Sequence, residues 1–146
     1  MVTVVEIDIN KVASRVEVFY IRTQVFIFEQ GVDPSLEYDE FDDNAHHYLA
    51  LENETSVGAA RWRYTDEGIK LERFAVLAAF RNCGVGAAIL KKVMEDVRPL
   101  SKKIYLHAQI KAVPFYERYG FVKEGDEFTE AGMKHFAMVW KDQTGF

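Results

Sequence analysis

The chain has one cysteine, Cys83, so no disulfide can form within it. A disulfide-stapled secreted scaffold is excluded, and the reducing cytoplasm is the expected compartment. No apolar run approaches the ~20 residues that a membrane-spanning helix needs, so no membrane partner is expected. Met1-Val2-Thr3-Val4-Val5-Glu6-Ile7-Asp8 lacks both a basic stretch and a cleavage site. It reads as a strand and not as a signal peptide. Basic residues are in deficit: 18 Lys and Arg face 23 Asp and Glu, for a formal charge of -5. Phosphate-backbone binding runs on clustered Lys and Arg, so no nucleic-acid partner is expected. A cationic small substrate fits this balance better. His46, His47, His107 and His135 lack a spacing such as His-x-x-x-His, so no metal site is expected.

What is present is globular. The chain has 146 residues, 49% hydrophobic and 28% charged, without repeat, linker or low-complexity tract. That is one domain, and a chain of this size buries roughly two thirds of its unfolded surface. Val2 to Ile7 reads as a strand. Asn10 is placed to cap a helix whose apolar positions Val12, Val16, Phe19, Tyr20 and Phe26 fall at helical spacing, ending near Gly31. Glu37 to Asn44 reads as an acidic loop, with Asp39, Glu40, Asp42 and Asp43 forming a solvated face. His46 to Leu51, Val57 to Tyr64 and Ile69 to Leu77 read as an antiparallel meander.

The pattern then changes. Val85, Ile89, Leu90, Val93, Met94 and Val97 predict an amphipathic helix. A strand from Ile104 to Gln109, a short helix from Val113 to Tyr119, and strands at Phe121 to Lys123 and Lys134 to Trp140 complete the chain. The order β-α-β-β-β-α-β-α-β-β predicts a mixed α/β sheet with helices on its faces. Between the meander and the long helix stands Arg81-Asn82-Cys83-Gly84-Val85-Gly86. Glycines let backbone N–H groups approach an anion, and a helix N-terminus adds unpaired donors and a positive dipole end. This is a phosphate-type site. It is neither the Rossmann fingerprint, lacking a third glycine, nor a P-loop, lacking Gly-Lys-Ser/Thr.

Arg81-x-x-Gly84-x-Gly86 resembles the (Arg/Gln)-x-x-Gly-x-(Gly/Ala) acyl-CoA pyrophosphate loop of the GNAT N-acetyltransferases. Leu71-Glu72-Arg73-Phe74-Ala75-Val76-Leu77 sits where that family has its fourth strand. Pro114-Phe115-Tyr116-Glu117-Arg118-Tyr119-Gly120-Phe121 resembles its Phe-Tyr-x-x-x-Gly-Phe signature. Four further segments resemble the YjcF-like or ElaA-like branch. They are Arg22-x-x-Val25-Phe26-x-x-Glu29-Gln30-Gly31-Val32, Asp39-x-x-Asp42-x-x-Ala45-His46, Gly58-Ala59-Ala60-Arg61-Trp62-Arg63, and His107-Ala108-Gln109-x-x-Ala112-Val113-Pro114-Phe115-Tyr116. The resemblance covers nearly the whole chain. It implies a GNAT-like, mostly antiparallel sheet of about seven strands, with the fourth and fifth splayed around a pantetheine arm.

It also implies acetyl-CoA as co-substrate and a small-molecule or protein amine as acceptor. Backbone groups of Phe74, Ala75, Val76 and Leu77 would pair with the arm. The N–H groups of Asn82, Cys83, Gly84, Val85, Gly86 and Ala87 would hold the pyrophosphate, with Arg81 adding charge. Gln109 and Phe115 would complete the cofactor site. Tyr116 would be the general acid that protonates the leaving thiolate; its other reading is a packed core ring. Glu72 is the first candidate for general base, since a half-buried carboxylate can have its pKa raised. An ion pair with Arg61, Arg63 or Arg73 is its other reading. Glu29, His46, Arg73 and His107 are candidates for the acceptor pocket, and His107 is also the second candidate for base. A homodimer is compatible with the family. Two other readings stay open: an acyl-homoserine-lactone-synthase-like enzyme, and a non-catalytic acyl-CoA-binding module.

Overall fold

A computed structural model describes residues 1–141. Its eight strands form one sheet. Across the sheet stand β1 (Val2–Ile7), β2 (His46–Glu52), β3 (Thr55–Thr65), β4 (Gly68–Val76), β5 (Ile104–Gln109), β8 (Met133–Trp140) and β6 (Phe121–Lys123). β7 (Phe128–Glu130) pairs with the start of β8. Every pairing is antiparallel except β4 with β5. This is the mixed, mostly antiparallel sheet expected, with one strand more. The extra strand closes through Ala131 (φ 51°) and Gly132 (φ 77°). Two successive left-handed residues make the tight hairpin turn that matches strand twist. An alanine in the first position conceals the usual Asn-Gly cue.

Both faces of the sheet are covered. In β2, Tyr48 and Ala50 join a core formed with α3 (Val85–Val97), through Ile89, Leu90, Val93 and Met94. Leu49 between them joins a second core on the opposite face, with Val18, Ile21, Val25 and Phe26. That alternation is the period of two of a strand buried on both sides. Gly58 of β3 lets α3 come close: a Cβ there would lie 2.9 Å from Ile89 Cδ1 and 3.1 Å from the Ala75 carbonyl oxygen. Gly58→Ala is therefore expected to cost about 1–3 kcal/mol. The check is urea unfolding, with a lower midpoint at unchanged slope.

The first helix differs from its expectation in cap, face and winding. Lys11 and not Asn10 is the N-cap of α1 (Val12–Arg22). Val12, Val16 and Tyr20 are exposed, while Val18, Ile21 and Arg22 are buried. A buried arginine, masked as polar in the apolar pattern, marks the true inner face. From Thr23 to Glu29 the helix widens to π winding, with Gln30 N–H bonded to the Val25 carbonyl, and it ends at Gly31 (φ 74°). A short α2 (Pro34–Glu37) follows, capped by Asp33. Among the described residues, no helix is long and apolar enough to cross a membrane.

The feature that positions the site is a fork. β4 pairs with β5 only from Ile69 to Leu71, against Ile104 to Leu106. Beyond that, both strands continue unpaired with each other, β4 to Val76 and β5 to Gln109. A bulge starts the divergence. Ala59 and Arg61 of β3 face Ala75 and Glu72, so two residues of β4, Arg73 and Phe74, oppose one of β3. Arg73 takes the left-handed conformation, φ 56°, at this bulge.

Candidate active site

A cleft of about 1130 Å³ occupies the fork. That volume is slightly above the range usual for small-molecule sites and has room for two reactants. Phe74, Ala75 and Val76 of β4 line one wall. His107 and Gln109 of β5, with Phe115 and Tyr116 of α4 (Val113–Glu117), line the other. The turn before α3 closes one end. Leu77 does not share the wall: its side chain packs into the core under α1, and its N–H is bonded to the Val57 carbonyl. The arm-pairing expected of Leu77 is thereby corrected, because β3 already takes its donor.

Asn82 (φ 62°) and Gly84 (φ 83°) bend the chain sharply into α3. The N–H groups of the helix's first turn have no carbonyl one turn back to bond, and they sit at the positive dipole end. The space above Gly84 is open: a Cβ there would meet no atom within 4 Å. Asn82, Gly84, Val85, Gly86 and Ala87 all line the cleft. Cys83 is exposed, and its thiol lies 3.4 Å from the Arg81 carbonyl oxygen.

Arg81 and Glu29 come together, contrary to their separate assignments. The Arg81 guanidinium donates through Nε to the Val76 carbonyl and through both other nitrogens to the Glu29 carboxylate. Glu29 is therefore not an acceptor-pocket residue. It ties the end of the π turn to the loop, and the pairing holds its carboxyl below the usual range.

Tyr116 is buried with its ring edge-on to Phe74, Phe115 and Phe121. Its hydroxyl makes no hydrogen bond to another described residue, and burial pushes the phenol well above its ordinary pKa. It therefore stays protonated at neutral pH, a standing donor at the cleft wall.

Glu72 is not suited to be the base. Arg61 and Arg63 both donate to its Oε2, at 2.8 and 2.9 Å, and Lys70 Nζ lies 3.2 Å from Oε1. Burial alone would raise its pKa, but these cations outweigh it and hold the carboxyl down at about 2. The raised pKa expected of it is overturned. Glu72 belongs to a buried network that also takes in Asp39 and Asp42 of the expected solvated acidic face, while Glu40 and Asp43 are exposed as expected. Asp42 accepts from Arg22 and Arg61, each at 2.6 Å. Asp39 accepts from both terminal nitrogens of Arg61 and from Arg73. Glu37 pairs with Arg22 and Arg73. Arg22 and Arg61 are each 1% exposed. The acids fold inward because four arginines are buried or half-buried beneath them, a match that a charge run does not reveal.

Of the remaining acceptor candidates, Arg73 and His107 line the cleft. His46 does not: it stacks on Trp62 at 4.0 Å between centroids and bonds Glu6, toward the sheet edge. Gln109 donates to Gln30 Oε1 at 2.9 Å, which joins β5 to the π turn. Among the polar cleft residues that sequence reasoning did not assign to the site are Gln30, Lys111, Arg118, Glu130 and His135. Glu130 and His135 are carried in by the unforeseen hairpin. Among the described residues, no three His, Cys, Asp or Glu side chains converge to hold a metal ion.

A splayed parallel pair, an N–H-rich turn at its end and a buried phenol on its wall are features of an acyltransferase of the GNAT kind. The comparisons agree. The acetyltransferase (GNAT) domain family matches residues 10–141, and the chain belongs to it. It is 38% identical over 125 residues to a Bacillus subtilis (strain 168) protein called "Uncharacterized N-acetyltransferase YjcF". That match spans 84% of this chain and 89% of the relative. The crystal structure of Escherichia coli ElaA superposes with a TM-score of 0.86 at 26% identity, covering 97% of this chain and all of that one. An acyl-CoA N-acyltransferase from Pseudomonas aeruginosa shares the fold, with a TM-score of 0.83 at 23% identity and 97% and 99% coverage. The chain thus falls in the YjcF-like and ElaA-like branch.

Proposed function

We propose that the protein transfers the acetyl group of acetyl-CoA to a primary amine by direct attack in a ternary complex. The observation that carries this reading is the fork, open along β4 and ending on the turn before α3. An extended pantetheine arm fits along the unpaired edge of β4 at Phe74 to Val76. The pyrophosphate fits on the N–H groups of Asn82 to Ala87, over the open space at Gly84. Holding amine and thioester together converts a bimolecular step into an effectively unimolecular one. A β4 N–H near Val76 would stabilise the developing oxyanion. Tyr116, protonated and with its hydroxyl bonded to no other described residue, is the donor to the departing sulfur.

Calorimetric titration with acetyl-CoA tests the reading. Saturable micromolar binding is expected in the parent and its loss in Arg81→Glu, Gly84→Asp. Aspartate there puts a negative charge at the anion site and a side chain on a backbone with φ 83°. Circular dichroism of the variant separates lost binding from lost folding. No binding by the parent would refute the assignment. The pairing of Glu72 gives the non-catalytic module some support, since it takes away one expected catalytic group. Turnover against a broad amine panel discriminates between the two.

A further inference from the structure

Resting on that reading, we propose that His107 is the general base of the transfer and that Glu130 is the residue that positions it. His107 is the first residue of β5 beyond its last pairing with β4, at the throat of the fork, and it lines the cleft. Glu72 is the corresponding first residue of β4 beyond that pairing, and the arginines hold it ionised and occupied. His107 Nδ1 lies 3.0 Å from Glu130 Oε1. The Glu130 carboxyl is held below its ordinary range chiefly by this hydrogen bond, so it is ionised at neutral pH and can only accept. Nδ1 must therefore carry the proton. The lone pair is left on Nε2, which bonds no other described residue. A positioned carboxylate fixing the tautomer of a histidine is the arrangement that readies an imidazole to take a proton.

The surroundings are consistent with that role. Phe128 of β7 stands edge-on to the His107 ring at 5.0 Å, and Tyr105 lies 6.1 Å away on the same strand. His135 of β8 approaches the other Glu130 oxygen at 3.9 Å through Nε2. Its own Nδ1 is tied to the Met133 carbonyl at 2.8 Å. Lys70 of β4 is a further charge near Glu130, but its ammonium pairs with Glu72. Of the two described histidines that line the cleft, His135 is buried with Nε2 turned toward Glu130, whereas His107 is the more open and its Nε2 bonds no other described residue. An amine attacking the thioester carbon becomes cationic as the C–N bond forms. Nε2 takes its proton, Glu130 stabilises the imidazolium, the C–S bond breaks and Tyr116 hydrogen-bonds the sulfur that leaves.

The test is the pH profile of kcat/KM for coenzyme A release, with acetyl-CoA and methoxyamine as substrates. Methoxyamine is small and its conjugate acid is about as acidic as a carboxylic acid, so it stays uncharged through the range in which an imidazole titrates. The parent is expected to show an acid limb, as a base that must be deprotonated gives. His107→Asn should lower the neutral-pH value roughly 10²-fold and abolish the limb. Glu130→Gln should lower it less and move the limb to lower pH, because the imidazolium loses its carboxylate. The double variant should fall no further than His107→Asn, since Glu130 acts through His107. A limb unchanged in both single variants would overturn the assignment and leave acetyl transfer standing. A parent that neither binds acetyl-CoA nor releases coenzyme A would overturn both.

Discussion

Replacing Arg61 by alanine is expected to destabilise the protein by roughly 3–5 kcal/mol, the usual cost of removing one partner from a buried ion pair. Arg61 is 1% exposed and donates to three carboxylates: Asp39, Asp42 and Glu72. Each acid keeps another cation: Arg73 for Asp39, Arg22 for Asp42, Arg63 and Lys70 for Glu72. The loss therefore stays within the range for one partner and is not tripled. Lysine should not restore it, because one ammonium cannot reproduce a fork that reaches three acids. The pH dependence carries a sign. Asp39, Asp42 and Glu72 are held below the usual carboxylate range, Glu72 at about 2. Their contribution is complete above the unfolded values near ~4 and is lost as pH falls through the folded ones. Glu37 opposes them: burial raises its pKa, so its share is present at low pH and lost as pH rises through the folded value. Three against one leaves a net loss in acid. Urea titrations between neutral pH and about pH 3 should show a steeper decline for the parent than for Arg61→Ala. Equal midpoints for parent and variant at neutral pH would show that the network adds nothing to stability.

Tyr116→Phe is expected to lower turnover by roughly 10²-fold, at the lower end for a general acid, while acetyl-CoA affinity stays nearly unchanged. The lower end follows from the phenol's environment. Burial raises its pKa further above that of a thiol, so it stabilises the leaving sulfur by hydrogen bonding more than by complete proton transfer. The fold should tolerate the change. Phenylalanine keeps the ring against Phe74, Phe115 and Phe121, and no described protein group loses a hydrogen-bond partner. Steady-state kinetics and calorimetry on the same preparation decide it. Equal turnover in variant and parent would remove Tyr116 from the mechanism.

Much of the fold was legible because its signals are local. The β-branched runs, the helical period of Val85 to Val97 and the Gly84-x-Gly86 turn each declare themselves within a dozen residues. The end of the cleft at the turn before α3 was legible too: of the residues named for it, all but Leu77 and Cys83 line the cleft. The end at Glu72 and Arg73 was not legible, since it is built from long-range charge pairing. Whether Glu72 is a base or an ion-pair partner depends on Arg61, eleven positions away, and Arg63, nine away. Asp39 and Asp42 looked solvent-bound because nothing in their own segment shows the buried Arg22 and Arg61. Glu130 and His135 were missed with their hairpin, whose turn places an alanine where a left-handed conformation favours glycine or asparagine.

The fork also divides labour along the chain. On the proposed reading, the main-chain groups that grip the carrier, from Phe74 through Ala87, precede β5, the strand that opens the second arm, and from that arm Gln109 and Phe115 flank it. Those that handle the proton traffic, His107, Tyr116 and Glu130, all follow its three rungs to β4. Substitutions confined to the later arm would therefore retune the transfer of protons while the earlier arm went on presenting the same donor.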